Sequence, residues 1–226
     1  MAGQQDFVVF FDDFITGAAI PTTSASAGTP WVLDDTSASG SPTVAFTTPS
    51  STGEIKCAMS STNEATNLSL DFGDVLPISV TKIRKFEARV KVSAVLAAVE
   101  SFAVGVVGNQ SDTIATMTGA LLHFTGDATS NKLTCRTKSS TVTKSEATTT
   151  VMPADTWVTV KIDFSNMSDV KFYAGVDGNL NRIARSTTFD LSTLTGSLQP
   201  IIQIGKANGT TTSSFSADYV LIEAVR

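Results

Sequence analysis

The stretch TWVTVKIDFSNMSDVKFYAGVDG, from Thr156 to Gly178, constrains the fold of this chain more than any other. Val158, Val160, Ile162 and Phe164 alternate with Trp157, Thr159, Lys161 and Asp163. Val170, Phe172, Ala174 and Val176 then repeat the beat against Lys171, Tyr173, Gly175 and Asp177. Successive side chains of a strand point to opposite faces, so a period of two marks a half-buried strand. Two such runs around Ser165–Asp169 predict an antiparallel hairpin with one core face. What the other face does is the functional question.

Short apolar runs of the same kind recur along the chain. They are Phe7–Phe11, Trp31–Leu33, Thr43–Phe46, Gly53–Met59, Asn67–Phe72, Lys82–Val92, Phe102–Val107, Ala120–Phe124, Leu133–Thr137, Ile201–Ile204 and Tyr219–Ala224. In Lys82–Val92 the pattern points Phe86, Ala88, Val90 and Val92 inward and Lys85, Glu87, Arg89 and Lys91 outward. Phe102–Val107 is continuously apolar, which predicts a central strand covered on both faces. Thr141–Thr150 is polar and alternating, an exposed strand or a loop. No run of useful length has the 3.6-residue period of an amphipathic helix. Roughly a dozen short strands separated by turn residues predict an all-β, antiparallel sandwich or barrel. No composition break or internal repeat divides the chain, so residues 1–226 are expected to form a single domain. The stretches Thr22–Thr29, Thr36–Ser41 and Asn208–Ser214 are rich in Ser and Thr and read as surface loops.

Charged residues make up 16% of the 226, well below the ~25% of an average soluble domain. A net charge of -5 makes nucleic acid a poor partner. No apolar stretch approaches the ~20 residues that cross a bilayer as a helix. The segment MAGQQDFVVFFDDFITG has no basic region ahead of its short apolar run, so no signal peptide is expected. Synthesis in the cytoplasm follows, with exit only by assembly into something larger. Cys57 and Cys135 both fall in apparent strands and read first as buried free thiols, with a single bridge left open.

The order of three pieces resembles the concanavalin A-like jelly roll, the fold shared by legume lectins, laminin G-type domains and family 16 glycoside hydrolases. The pieces are VVFFDDFITG, then FEARVKV with ESFAVGVVG, and finally the Thr156–Gly178 hairpin followed by FSADYVLIEAVR. The progression of Phe86–Val90, Gly119–Phe124, Trp157–Ser165, Val170–Gly178 and Asp218–Val220 is also similar to small jelly-roll proteins of tailed phages. Those are generally virion components near the major capsid protein. The resemblance implies a virion location on the capsid surface, a homo-oligomer (most simply a trimer) and the major capsid protein as partner. Within that setting the apolar start, residues 1–11, is either a strand of its own domain or an arm reaching into a neighbour.

Chemistry is sparse. A glycosidase needs two carboxylates ~5 Å or ~6.5–9.5 Å apart, and the E-x-D-x-x-E run of the family 16 enzymes is absent. Glu87 stands alone between Lys85 and Arg89, whose charges disfavour the protonated form a general acid requires. The single histidine, His123, alternates with Leu122 and Phe124 as an ordinary strand residue would. No nucleophile elbow or zinc-ligand cluster accompanies it. Catalytic residues are therefore expected to be none. No cofactor is implied, apart from a weak structural calcium candidate at Asp12, Asp13 and Asp218 if the first and last strands are neighbours. Lys85, Arg89 and Lys91 are the candidates for docking an acidic partner. Trp31, Trp157 and Tyr173 are the candidate platforms for a host surface glycan. The leading expectation is a capsid decoration or cement protein. A carbohydrate-binding module of a fibre or tail is the alternative, and a glycoside hydrolase comes third.

Overall fold

A computed structural model describes residues 7–15, 21–23, 28–47, 53–75 and 77–226. Parts of the expected loop Thr22–Thr29 and of the start of the chain, residues 1–6, lie outside the described residues. The described residues hold sixteen strands and no α-helix. The strands pair antiparallel into two sheets. The first sheet runs β14 (Asn181–Ile183), β13 (Lys171–Val176), β12 (Val158–Asp163), β7 (Ile83–Val92), β16 (Ser214–Val225), β4 (Ile55–Ala58), β3 (Thr43–Phe46), with β1 (Phe7–Asp12) also on β16. The second runs β11 (Thr143–Val151), β10 (Lys132–Lys138), β9 (Gly119–Thr125), β8 (Glu100–Val107), β15 (Ser197–Lys206), β5 (Thr66–Asp71), β2 (Val32–Asp35), with β6 (Ile78–Ser79) also on β15.

The Thr156–Gly178 hairpin forms as its alternation demands: Val160 faces Ala174 and Ile162 faces Phe172 across β12 and β13. These residues and Phe86 and Val90 of β7 make the inner face of the first sheet. Phe102, Val104, Leu122, Phe124, Leu133 and Ile202 face them from the second sheet, and the two sets form one apolar core. Phe102 joins the layers, with its ring 5.5 Å from Phe124 and 6.3 Å from Phe215. Burying each such side chain stabilises the fold by about 1.5–3 kcal/mol.

The closing strand β16 needs a correction of phase to stay buried. Ala217 faces Val90 and Tyr219 faces Arg89, so Asp218 is an extra residue, a β-bulge. Before it Phe215 and Ala217 point inward; after it Val220 and Ile222 do. One inserted residue shifts a two-residue period by one. Along its other edge β16 pairs first with β4 and then with β1. The N-terminal strand thus pairs with its own chain, Phe7 opposite Val225 and Asp12 opposite Val220. Phe10 anchors it, packing edge-on against Phe72 at 5.2 Å and Trp31 at 6.2 Å. Cys57 and Cys135 are buried and unpaired, and burial pushes both thiols up.

Candidate functional site

The described residues present, among other surfaces, the outer face of each sheet and the edge at β1.

The outer face of the first sheet carries most of the residues that the sequence puts forward, and it is electrically self-contained. Lys85 Nζ lies 2.7 Å from Glu223 and 3.9 Å from Glu87. Arg89 pairs with the bulged Asp218 at 2.7 Å. Lys91 lies 3.3 Å from Glu54 and 3.7 Å from Asp155. The stripe Lys85, Arg89, Lys91 is therefore paired with carboxylates of neighbouring segments and presents little net positive charge. Trp157 does lie on this face, but Arg89 and Lys91 cover its ring at 5.1 and 4.8 Å. Tyr173 is likewise under Lys161 at 5.2 Å. Glu87 accepts a hydrogen bond from the Tyr219 hydroxyl at 2.8 Å, and burial together with Glu87 pushes that phenol up to about 12.

Trp31 is a correction. It is 1% exposed, and its Nε1–H donates to Asp12 Oδ2 at 2.8 Å. A buried indole with a satisfied N–H is a core residue and offers no face to a sugar. The calcium candidates are committed elsewhere as well. Asp12 Oδ1 accepts from the Phe14 amide and Asp13 Oδ1 from the Ile15 amide, while Asp218 holds Arg89. Among the described residues, no group of three or more His, Cys, Asp or Glu is arranged to hold a metal.

The outer face of the second sheet is different. Strand pairing sets Asp34, Ser69, Gln203, Ala103, His123 and Thr134 in one transverse row. The next row holds Leu121 beside Arg136, with Gly105 between Ile201 and Leu121. Gly105 has φ 156°, and a Cβ there would lie 2.2 Å from the Ala120 carbonyl oxygen. Residues 108–118, which include a 3-10 turn at Ile114–Thr116, form a strap over this face. Val107, Met117, Leu121 and Ile201 make a second, small apolar core beneath it, with Ile114 against them.

Three side chains of the sheet fasten the strap. Arg136 donates through its NH1 group to the Ile114 carbonyl at 2.7 Å, and through NH2 to those of Ala115 and Met117 at 2.6 and 3.2 Å. Lys138 Nζ adds bonds to the Ala115 and Thr116 carbonyls. Gln199 donates through Nε2 to the Gly108 carbonyl and to Asp74, and accepts through Oε1 from the amides of Phe72 and Asp74. Asp74 in turn accepts from the Gln110 amide. Burial lowers the pKa of Arg136.

The polar row at the side of the strap holds the groups that sequence reasoning missed. Asp34 is raised by burial and by the nearby carboxylates of Asp112, Asp74 and Asp35. Asp71, two residues beyond Ser69 on β5 and so outside the row, is raised mainly by burial, with its hydrogen bonds from the Gly73 amide and Ser69 pulling the other way. Burial and the Arg136 charge hold His123 down at about 4. Two atoms in this row, His123 Nε2 and Gln203 Oε1, are buried without a hydrogen-bond partner. A raised carboxyl among like charges is the environment of a proton donor or of a hydrogen bond to a ligand hydroxyl.

The sequence matches no protein-family model and no curated protein. Among solved structures the chain is similar to a Shewanella oneidensis MR-1 protein of unknown function. That match has 11% identity and a TM-score of 0.64, covering 98% of this chain and 88% of the other. It is also similar to SCLam, a non-specific endo-β-1,3(4)-glucanase of family 16. There the identity is 15% and the TM-score 0.60, covering 100% of this chain and 94% of that one. The carbohydrate recognition domain of Emp47p matches at 12% identity and a TM-score of 0.56, covering 95% and 94%. At these identities the likeness is one of fold: an antiparallel jelly-roll sandwich of the concanavalin A-like kind.

Proposed function

We propose that this chain is a structural protein of a tailed-phage particle, a capsid decoration or cement protein that works by contact and not by catalysis. The observation that carries the reading is the strap. The part of the second sheet's broad face around Leu121 and Ile201 is covered by the chain's own residues 108–118, fastened by Arg136, Lys138 and Gln199. An enzyme or lectin working on that face needs the space open. The other broad face is neutralised by its own ion pairs. What remains available to a partner is apolar edge and weakly charged surface. A protein that binds only the assembled shell stabilises that shell by mass action.

The test mixes purified protein with undecorated capsids, pellets them, and measures stoichiometry and capsid melting temperature. Saturable binding with a raised melting temperature is expected. Capsids that pellet without the protein would remove the major capsid protein as partner.

A second reading, a host glycan held by the polar row, has its own observation: the unpartnered Gln203 Oε1 and His123 Nε2 on one row with Asp34. Its test is a glycan array probed with the natural chain, Gln203→Ala and His123→Ala. A signal that both variants lose would favour it. The same preparations incubated with β-1,3-glucan are expected to release no sugar. Release abolished by Asp34→Asn would establish a hydrolase instead.

A further inference from the structure

β1 has a partner on one edge only. β16 pairs with it from Phe7 to Asp12, and among the described residues no strand takes its other edge. Exposed edges are templates for another chain, and proteins usually blunt them with charge, proline, a bulge or a cover. The edge strand β11 follows that rule. Its sequence TKSEATTTV carries Lys144 and Glu146 among threonines, and a register shift interrupts its pairing with β10.

β1 breaks the rule on both faces. Its sequence FVVFFD has no charge before Asp12. Outward, Phe7, Val9 and Phe11 are 54%, 54% and 53% exposed. Inward, Val8 and Phe10 stand over an apolar cavity of about 590 Å³, lined also by Phe72, Val75, Ile78 and Ile222. The cavity lies between the sheets beneath β1 and the end of β16.

We infer that β1 is the interface of a symmetric dimer: β1 of a second copy pairs antiparallel along the free edge and joins two first sheets into one. The strand is complementary to itself. With Val9 opposite Val9, Phe7 meets Phe11 and Val8 meets Phe10. From Phe7 to Phe11 every pair is then apolar, and outward residues meet outward ones, while Asp12 falls opposite position 6, an aspartate in the sequence. A register slipped by one residue would set outward side chains against inward ones, and a sheet with one buried face rejects that. The partner's Val8 and Phe10 enter the same layer between the sheets that the cavity occupies. The exposed halves of Phe7 and Phe11, about 100 Å² each, together with both valines bring the pair to about 700–800 Å², the size of a weak, concentration-dependent contact. The symmetry is two-fold, unlike the trimer that the phage resemblance implies. The inference rests on the contact reading above, but not on what the shell is made of.

Sedimentation equilibrium of the purified chain is the test. The mass should rise with concentration from 23.7 kDa toward twice that value. Val9→Lys sets two ammonium groups against each other at the centre of the pairing and should weaken association by about 100-fold or more. Trp31 emission, read in a Trp157→Phe background, reports whether β1 still packs on its own core. Thr149→Lys, on the polar edge β11, should leave the mass unchanged. Val9→Cys should form an intermolecular disulfide, since facing residues of such a pair lie ~4.5–5.5 Å apart at Cα. A chain that stays monomeric at crystallisation concentrations, a three-fold mass, or a dimer indifferent to Val9→Lys would each overturn the inference. Carrying Val9→Lys into the capsid sedimentation separates the two proposals. Shell binding by the monomeric variant keeps the contact reading and frees it from β1. A dimer that ignores capsids keeps the interface and sinks the virion role.

Discussion

On the outer face of the first sheet, Lys85 meets Glu223 and Arg89 meets Asp218 with all four side chains a fifth or more exposed. On the outer face of the second, Arg136 is 5% exposed and holds only carbonyl oxygens. The same residue types do different work in the two places. In water an ion pair gains little, because each charge gives up good solvation for a partner of similar worth. Under the strap little water competes, and the bond to the Met117 carbonyl, which is fully buried, has no replacement if Arg136 is lost. The comparison teaches where this molecule is brittle: not where its charges are dense, but where one charge is alone.

The largest expected effect is therefore at Arg136. Arg136→Met keeps bulk and removes the guanidinium: three charged bonds are lost, and the buried Met117 carbonyl is left without a donor while Ala115 keeps Lys138. A loss of about 4 kcal/mol is expected in urea unfolding. It should be accompanied by faster amide exchange in residues 108–118 at denaturant concentrations where the sheets are intact. A loss below 1 kcal/mol would mean that the strap is held by its apolar underside alone.

Next is a pH effect on the same face. His123 titrates at about 4 in the folded chain because of burial and the Arg136 charge, against an ordinary value near 6.5. Between those values the unfolded chain binds the proton and the folded chain does not, so stability falls as pH drops from about 6.5 to about 4. The difference amounts to about 3 kcal/mol. It is fully retained above the upper value. His123→Gln should flatten that slope in melting curves taken across the window. An unchanged slope would transfer the effect to the carboxylates. Asp34, raised by burial and its neighbours, works in the opposite sense, since a raised carboxyl is easier to keep folded once protonated.

Gln199→Leu comes third. It preserves volume but removes two donated and two accepted bonds that tie β15 to the 72–74 turn and to Gly108. A loss of about 2 kcal/mol is expected.

How much of this was legible in the sequence follows the same division. β7, β12 and β13 repeat an apolar beat against a polar one, and their facing was readable residue by residue. So were the free thiols. The apolar Phe102–Val107 announced a strand covered on both faces, yet not what covers its outer side. The cover is a loop in which Ile114 and Met117 are the only large apolar residues, too few for any periodicity to register. The signal that could have found it was an outward-facing Arg136 between Cys135 and Thr137, on a strand that needed no charge. Trp31, a candidate glycan platform, is a core residue. Its bond to Asp12 is a contact across 19 residues that no local pattern encodes. The neutrality of the basic stripe was hidden for a related reason. Its partners Glu223, Asp218 and Glu54 come from β16 and the segment leading into β4, so only the pairing of distant strands shows that it is neutral.

The smallest expected effect sharpens the comparison most, because it tests the exposed side directly. A double-mutant cycle of Lys85→Ala and Glu223→Ala should yield a coupling below about 1 kcal/mol, falling further in high salt. Their separation of 2.7 Å is as good as any on the strap, so geometry alone would predict equal worth. Solvation makes the difference. If the coupling instead matched the loss at Arg136 and resisted salt, the first sheet's outer face would have to be dry in solution. A dry face means a partner lies on it. That outcome would move the search for this protein's contacts from the edge at β1 to the broad face beside Trp157.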